Sequence, residues 1–186
     1  MTPLYFPADA LQFEQVLRSI FWQDGPRFIF STRSEVPFIE KPDGSRFFDP
    51  AGGYSFQPGR DEIIREGTDG WVVSFGDMLF RSLDAVERLR AEGKNVGLIN
   101  KPLINAPDEE RLERIGSAPF VLVAESLNAS TGLGSRFGTW LLERGFSPRY
   151  SHLGVRRVGD GGTFEQIGHQ GLEADDILNR LRELTK

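Results

Sequence analysis

The sequence contains no cysteine, so disulfide bonds, thiol nucleophiles and thiolate metal sites are excluded. Its two histidines, His152 and His169, lie too far apart in sequence to form a local metal-binding motif. Common catalytic motifs are missing as well: there is no Gly-x-Ser-x-Gly elbow, no HExxH pair and no paired-carboxylate constellation. The sequence therefore predicts no catalytic and no metal-binding residue in this chain.

Basic residues are neither in excess nor clustered. The chain has 27 acidic against 22 basic residues and a net charge of -5, whereas sequence-independent nucleic-acid binding needs a basic stripe that neutralises phosphates. No apolar run approaches the roughly 20 residues of a membrane-spanning helix, and the N-terminus lacks the layout of a signal peptide. We expect no nucleic-acid partner, no membrane association and a cytoplasmic location.

Apolar residues make up 39% of the 186 residues and include 15 phenylalanines, which is typical of a globular protein. Three strand-length runs alternate with helical patterns between residues 71 and 145, namely WVVSFG, NVGLIN and FVLVAES. Such runs have little polar alternation, as expected of parallel strands that are buried on both faces. We predict a three-layer α/β/α domain over residues 61–186, with a mostly parallel sheet of about five strands.

The N-terminal residues 1–33 predict a separate β-α-β unit. PLYFP reads as a strand, Asp9 as the N-cap of a helix with an apolar stripe, and RFIFST as a second buried strand. One such unit exposes more apolar surface than it covers, so we interpret it as the end of a larger sheet. Residues 34–60 are rich in proline, glycine and aromatic residues, which predicts a packed linker between the two parts.

Two features of the C-terminal part could carry chemistry. The TGLGS segment, residues 131–135, lies between a strand and a helix, where backbone N–H groups can bind an anion. Two glycines more often allow close packing of a helix on a sheet, and we favour that interpretation. Glu125 ends a predicted strand with no second carboxylate or histidine near it in sequence, so we expect it to bond backbone N–H groups rather than act as an acid or base. For His152 we expect a hydrogen-bonded structural role.

Arg33 follows the second strand and precedes the irregular linker. It could form a salt bridge within the linker, or it could bind an anion, because a guanidinium makes forked hydrogen bonds to phosphate. The residues alone leave these two alternatives open.

The order of these segments resembles the transketolase family. The N-terminal segment PLYFPADALQFEQVLRSIFWQDGPRFIFSTR is similar to the closing β-α-β of a pyrimidine-binding domain. Five later segments are similar to a transketolase C-terminal domain: VVSFGDMLFRSLDAVERLRAEGKNVGLIN, FVLVAES, TGLGSRFGTWLLE, YSHLGVRRVGDGG and GLEADDILNRLREL. Related thiamine diphosphate enzymes, among them deoxyxylulose phosphate synthase and the β subunits of 2-oxo acid dehydrogenases, share this domain type.

The resemblance implies roles for four residues. Arg33 matches an arginine that contacts the phosphate end of the sugar substrate, and Glu125, Gly132 and Gly134 match residues with structural and interface roles. The family transfers two-carbon ketol units between sugar phosphates, as in the pentose phosphate pathway, using thiamine diphosphate and a divalent metal, Mg or Ca. The family's cofactor-binding segments are not among these 186 residues. We therefore expect a part or subunit of such an enzyme that is inactive alone, pairs with cofactor-binding domains or subunits, and forms a homo-oligomer such as a dimer.

Two other functions remain open from the sequence. The chain could be a non-catalytic interaction or oligomerisation module that keeps the same fold, which predicts a stable oligomer and no dependence on thiamine diphosphate. A weaker alternative is a small-anion sensor at residues 131–135.

Overall fold

The computed structural model describes residues 1–159 and 165–186. Its helices and strands follow one another as β1 Leu4–Tyr5, α1 Ala10–Ile20, β2 Phe28–Ile29, β3 Glu62–Arg65, β4 Trp71–Ser74, α2 Met78–Ala91, β5 Gly97–Asn100, α3 Glu109–Gly116, β6 Phe120–Asn128, α4 Leu133–Glu143, β7 Arg149–Val155, α5 Glu165–Gln170 and α6 Ala174–Leu184. A short 3-10 helix covers Pro50–Gly52. All but the first residue of the GDGG segment lies outside the described residues.

The C-terminal part forms the predicted five-stranded sheet, with strand order β3-β5-β4-β6-β7. Only the edge strand β3 runs antiparallel to its neighbour, while β4, β5, β6 and β7 pair in parallel. Every residue of β4 and β5 is buried, as their uninterrupted apolar runs predict. The prediction of an α/β fold with a mostly parallel sheet is confirmed.

Helices cover both faces of this sheet and complete three layers. On one face, α2 and α6 pack their apolar stripes against side chains such as Val72, Leu98 and Leu122. On the other face, α3 and α4 pack against Val73, Ile99 and Val123 and their neighbours. Adjacent residues of one strand thus enter different cores, as strand geometry requires. Within the described residues, no helix has both the length and the apolar character needed to cross a membrane.

The N-terminal unit is not part of this sheet. Strands β1 and β2 form their own two-stranded parallel sheet, and α1 connects them. The helix begins as the sequence predicts, because the Asp9 carboxylate accepts a hydrogen bond from the Gln12 N–H at 2.9 Å. Strand β1 is also tied to the segment that follows β5, through a bond of 2.8 Å from the Phe6 N–H to the Pro102 carbonyl and one of 3.0 Å from the Ile104 N–H to the Leu4 carbonyl.

The linker contributes directly to the core of the C-terminal part. Ile39 and Phe48 are almost completely buried among residues of the α2 and α6 face, and Ala8 joins them from the N-terminal unit. Residues 1–60 therefore share a core with the sheet. The irregular sequence of the linker has no periodicity that would reveal which of its side chains are buried.

The prediction that RFIFST is a buried strand is wrong. Only Phe28–Ile29 form a strand, and the side chains of Phe28 and Phe30 are 58% and 37% exposed. The apolar sequence is that of a buried strand, but no segment within residues 1–159 and 165–186 covers more than part of these two side chains.

A buried ion pair joins β5 to the start of β3. Lys101 and Asp61 are 1% and 4% exposed, and the ammonium group lies 3.0 Å and 3.1 Å from the two carboxylate oxygens. Burial raises the pKa of Asp61 to about 6 even though Lys101 opposes this shift. Folding therefore costs more once the carboxylate is ionised, and the ammonium group offsets part of that cost.

We expect Lys101→Met to lower the free energy of unfolding by about 3–5 kcal/mol near pH 8, because it leaves the Asp61 charge buried and unpaired. The folded-state pKa of Asp61 lies above its ordinary value, so the stability it contributes is present at low pH and is lost as the pH rises through about 6. The loss caused by the substitution should therefore shrink near pH 5. Urea unfolding at both pH values measures it. Lys94→Met, at an exposed lysine, is the control, and equal losses in the two variants would contradict the assignment.

Candidate functional site: an open apolar surface beside Arg33

Large apolar side chains are exposed on the outer side of the N-terminal unit. We call this set the N-terminal apolar surface, and its members, with their exposed fractions, are Leu17 (40%), Phe21 (62%), Trp22 (88%), Phe28 (58%) and Phe30 (37%). Leu17, Phe21 and Trp22 border one shallow hollow, and the ring centroids of Phe21 and Trp22 are 4.8 Å apart. Exposed apolar surface of this kind marks interaction sites in soluble proteins. These residues come from the C-terminal half of α1, the turn after it, and β2.

Strand β2 has a free edge next to these side chains. The N–H groups of Phe28 and Phe30 donate to the carbonyl of Pro3, just before β1, at 3.0 Å and to that of Tyr5, in β1, at 2.8 Å. Because backbone groups alternate in direction along a strand, the N–H and C=O of Ile29 face away from β1. A strand of another segment or another chain can pair with this edge.

Open grooves border β2 on two sides. One has a volume of about 410 Å³ and lies between the end of α1 and β2, where Leu17, Phe21 and Ile29 line it. The other, of about 560 Å³, is lined by Phe13, Phe30 and Phe38 and by polar residues after β2, including Thr32 and Ser34. The N-terminal unit therefore offers both backbone groups and apolar hollows to a partner.

Arg33 lies beside the larger groove, between two of its lining residues. Its side chain is exposed, whereas the Thr32 hydroxyl on one side of it donates to the Ser34 carbonyl at 2.7 Å. Across the described residues, no hydrogen bond or ion pair involves the Arg33 side chain. The salt-bridge alternative therefore has no support in the described part of the chain, and the guanidinium can accept an anion.

Glu125 is completely buried and accepts hydrogen bonds from backbone N–H groups, as we expected from the sequence. Its two oxygens accept hydrogen bonds from the Leu133 N–H at 2.7 Å and the Gly134 N–H at 2.9 Å, at the start of α4. The strand does not end at Glu125, however, since β6 continues to Asn128 with an irregular register after Ala124. The carboxylate thus occupies the helix N-terminus at which an anion would bind. This arrangement removes the support for an anion sensor at residues 131–135.

His152 is the neighbour of Glu125 that the sequence does not reveal. Its Nε2 atom lies 2.9 Å from the Glu125 carboxylate, although 27 residues separate the two. The pairing of β6 with β7 places Val123 opposite His152 and brings the two side chains together at the carboxyl end of the sheet. The sequence signal that could have indicated this contact is the presence of polar residues near the carboxyl ends of two adjacent parallel strands. His152 is hydrogen-bonded, as predicted.

The glycines of the TGLGS segment allow the close approach of α4 to the sheet. A Cβ atom on Gly132 would overlap the Glu125 carboxylate, and one on Gly134 would overlap the His152 ring. Close packing, the interpretation that the sequence favoured, therefore accounts for both glycines.

The usual ligand site of such a sheet is filled by the N-terminal unit. Ligands of open α/β sheets bind at the carboxyl ends of strands where the strand order reverses, here between β4 and β6. Phe6 lies over this position, with its ring centroid 5.5 Å from that of Phe75 and its ring where a Cβ of Gly76 would be. Among residues 1–159 and 165–186, no group of three or more potential ligands could hold a metal ion. The N-terminal unit therefore fills this crevice of the sheet with Phe6 and exposes other apolar side chains of its own.

Comparison with known proteins gives consistent matches. The sequence family described as "Transketolase, C-terminal domain" matches residues 59–177. A subunit of the apulose-4-phosphate transketolase of Actinobacillus succinogenes is 25% identical over 180 residues, which are 95% of this chain and 55% of that protein. The 1-deoxy-D-xylulose-5-phosphate synthase of Listeria monocytogenes is 30% identical over 188 residues, covering 96% of this chain and 29% of that protein.

A similar solved structure is that of a split-gene transketolase in the form of an inactive beta4 tetramer. It superimposes with a TM-score of 0.86 at 26% identity and covers 99% of this chain and 58% of that chain. The present chain spans about half the length, or less, of the curated relatives it matches first.

We expect Gly134→Ala to destabilise the protein by about 1–3 kcal/mol, because the new methyl group forces the His152 ring or α4 to move. Thermal or urea unfolding measures the change. Gly168→Ala is the matched control, since Gly168 lies in α5 with nothing within 4 Å of an added Cβ, and alanine is the better helix former. If both variants are as stable as the wild type, the close-packing role of Gly134 is wrong.

Proposed function

This chain belongs to the transketolase C-terminal domain family, and from that membership we propose that it is the C-terminal part or subunit of a thiamine diphosphate-dependent enzyme that transfers two-carbon ketol units between sugar phosphates. It works only in an assembly that supplies the cofactor site. One observation carries the proposal: the family match covers residues 59–177. The preceding β-α-β unit supports it, because its strand β2 is paired only with β1 among the described residues and exposed aromatic side chains lie near it.

The N-terminal apolar surface is the proposed contact with the cofactor-binding part. A parallel β-α-β unit needs cover on both faces of its sheet, and among the described residues Phe28 on β2 stays more than half exposed. One similar protein is named as a subunit of a transketolase, and one similar structure is that of a split-gene transketolase. Both are about twice as long as the matched region. These lengths support a companion segment or polypeptide that completes the N-terminal sheet.

Thiamine diphosphate and its divalent metal belong to the companion in this proposal. The described residues do not fit either group, since the buried carboxylate of Glu125 is used by backbone N–H groups and that of Asp61 by Lys101. They also offer no cluster that could ligate a metal. What this chain contributes to catalysis is orientation of the assembly and contact with substrate.

Arg33 is the residue that we propose for substrate contact. Its exposed guanidinium follows the strand with the free edge, so a companion that pairs with β2 would bring its own groups next to Arg33. A guanidinium binds the phosphate of a sugar phosphate through charge-assisted hydrogen bonds. For Glu125, Gly132 and Gly134 we propose a structural and interface role, which the packing of α4 on His152 supports for the structural half.

The remaining parts of the proposal follow from the sequence and the family. We propose residues 1–33 as the end of a pyrimidine-binding-type domain, residues 34–60 as a linker and residues 61–186 as the C-terminal domain. A homo-oligomer such as a dimer, a cytoplasmic location and a role in pentose phosphate metabolism stay predictions.

Reconstitution tests the proposal. We expect this chain, mixed with a polypeptide that carries the thiamine diphosphate-binding and remaining pyrimidine-domain segments of the same genome, to form a stable complex with ketol transferase activity that neither component has alone. Trp22→Glu and Phe28→Glu should weaken the complex at least about 30-fold, the effect of a hot-spot residue of about 2 kcal/mol. Leu142→Glu, at an exposed leucine on α4, should not.

Analytical ultracentrifugation and a coupled assay for ketol transfer supply the two measurements. A complex that forms through the same surface but has no activity in the presence of thiamine diphosphate and Mg²⁺ would favour the alternative, a non-catalytic interaction module. Association that is insensitive to Trp22→Glu and Phe28→Glu would refute the assignment of the surface.

In the reconstituted enzyme, we expect Arg33→Leu to lower kcat/KM for phosphorylated substrates by roughly 10- to 100-fold, since a hydrogen bond to a charged group contributes about 1.5–3 kcal/mol. An unphosphorylated ketose should lose much less. Arg136→Leu is the control, because Arg136 is also exposed and forms no hydrogen bond or ion pair with the described residues. Equal losses for phosphorylated and unphosphorylated substrates would contradict phosphate binding by Arg33.

A further inference from the structure

Three polar side chains, one from each part of the chain, donate hydrogen bonds to the carboxylate of Glu62. We call the set Gln12, Tyr54, Glu62 and Asn100 the polar bridge. One oxygen of Glu62 accepts from Gln12 Nε2 at 2.7 Å and from Asn100 Nδ2 at 2.8 Å, and the other accepts from the Tyr54 hydroxyl. Gln12 belongs to α1, Tyr54 to the linker, Glu62 to β3 and Asn100 to β5.

The polar bridge continues into the start of α1 and the linker backbone. Gln12 Oε1 accepts from the Ala8 N–H at 2.7 Å, which fixes the side chain whose amide group binds Glu62. Asp9 accepts from the Gln12 N–H and, with its other oxygen, from the Ile39 N–H at 3.0 Å. Hydrogen bonds that converge on Glu62 therefore join the N-terminal unit and the linker to the sheet, in addition to the shared apolar core and the backbone bonds of β1.

No cation neutralises Glu62 in the described part of the chain. The charged group that acts on it is Asp61, its neighbour in sequence, whose charge is paired with Lys101 after β5. Asp9, the N-cap of α1, acts together with Glu62 on Tyr54. Tyr54, the titratable group from the linker, has a pKa raised by burial and by the Glu62 charge, so it stays a neutral donor. Burial raises the pKa of Glu62 to about 7, against the effect of its three donors.

We propose that the Glu62 carboxyl is a proton-linked latch, which holds the N-terminal unit and the linker on the sheet most firmly when it is protonated and loosens them when it is ionised. A protonated Glu62 still has hydrogen-bond partners in the polar bridge. Its O–H can donate to the Tyr54 oxygen. If the Asn100 amide rotates, the O–H can instead donate to Asn100 Oδ1, which has no donor among the described residues. In the closed form, with the N-terminal unit and the linker on the sheet, an ionised Glu62 is a partly buried charge with no cation beside it among the described residues. Opening, in which these segments leave the sheet, returns the charge to water.

The direction of the pH dependence follows from the raised pKa. The closed form binds the proton more tightly than the open form, whose carboxyl has an ordinary pKa of 4.5. The latch is therefore strongest below about pH 4.5, and its contribution is lost as the pH rises through about 7. Opening of the N-terminal unit should increase more than tenfold between about pH 5.5 and pH 8.

Hydrogen exchange of the chain by itself tests the latch without any companion protein, so its failure would leave the proposed function untouched. The readout is the protection of the α1 amides and of the Ile39 amide, corrected for intrinsic exchange rates. In the wild type we expect protection to fall more than tenfold from about pH 5.5 to pH 8. Glu62→Gln should lose most of this dependence, with a small remainder from Asp61, whose pKa is raised to about 6.

Two further variants make the test specific. Glu113→Gln removes one exposed carboxylate from α3, forms no part of the bridge, and should behave like the wild type. Tyr54→Phe removes one donor that favours the ionised form, so it should move the loss of protection to higher pH. Wild-type protection that is independent of pH, or the same dependence in Glu62→Gln, would overturn the proposal. The wild-type and Tyr54→Phe profiles decide it even if Glu62→Gln does not fold.

Discussion

The need of a parallel sheet for cover on both faces governs this protein. The C-terminal sheet meets that need within the chain, since α2 and α6 cover one face and α3 and α4 the other. The two-stranded N-terminal sheet does not, and it leaves Trp22 and Phe28 more than half exposed. An apolar strand edge of this kind is an aggregation hazard when it stays bare. The same constraint therefore explains both the closed core of one part and the proposed docking surface of the other.

Polar contacts add to the shared apolar core where the N-terminal unit and the linker meet the C-terminal sheet. The Lys101–Asp61 pair and the polar bridge around Glu62 lie close together at the edge of the sheet formed by β3 and β5. Each contains a carboxyl group whose pKa burial raises. Buried hydrogen-bonded charges cost desolvation energy but accept only one geometry. The Lys101–Asp61 pair joins β5 to β3, and the polar bridge joins α1 and the linker to the same edge.

Much of the fold could be predicted because buried parallel strands and amphipathic helices leave periodic signals. The three runs that became β4, β5 and β6, and the final helix, were recognisable from local sequence alone. Two other features could not be predicted from local sequence. The linker has no period, so the burial of Phe48 was hidden, and the contact between Glu125 and His152 depends on the register of β6 with β7. The prediction for RFIFST was wrong because composition indicates only a preference for burial, and no segment in the described part of the chain buries Phe28.

The sequence by itself determined the layered α/β domain, the absence of thiol chemistry and the family, because these depend on residue type, order and periodicity. Only the tertiary structure decided which polar groups meet: Glu62 with Gln12, Tyr54 and Asn100, and Glu125 with the first N–H groups of α4. It also decided that Arg33 is unpaired among the described residues and that Phe6 fills the crevice of the sheet. The physical reason is that such contacts join residues distant in sequence, whose separation is set by how strands and helices pack and not by any local preference of the chain.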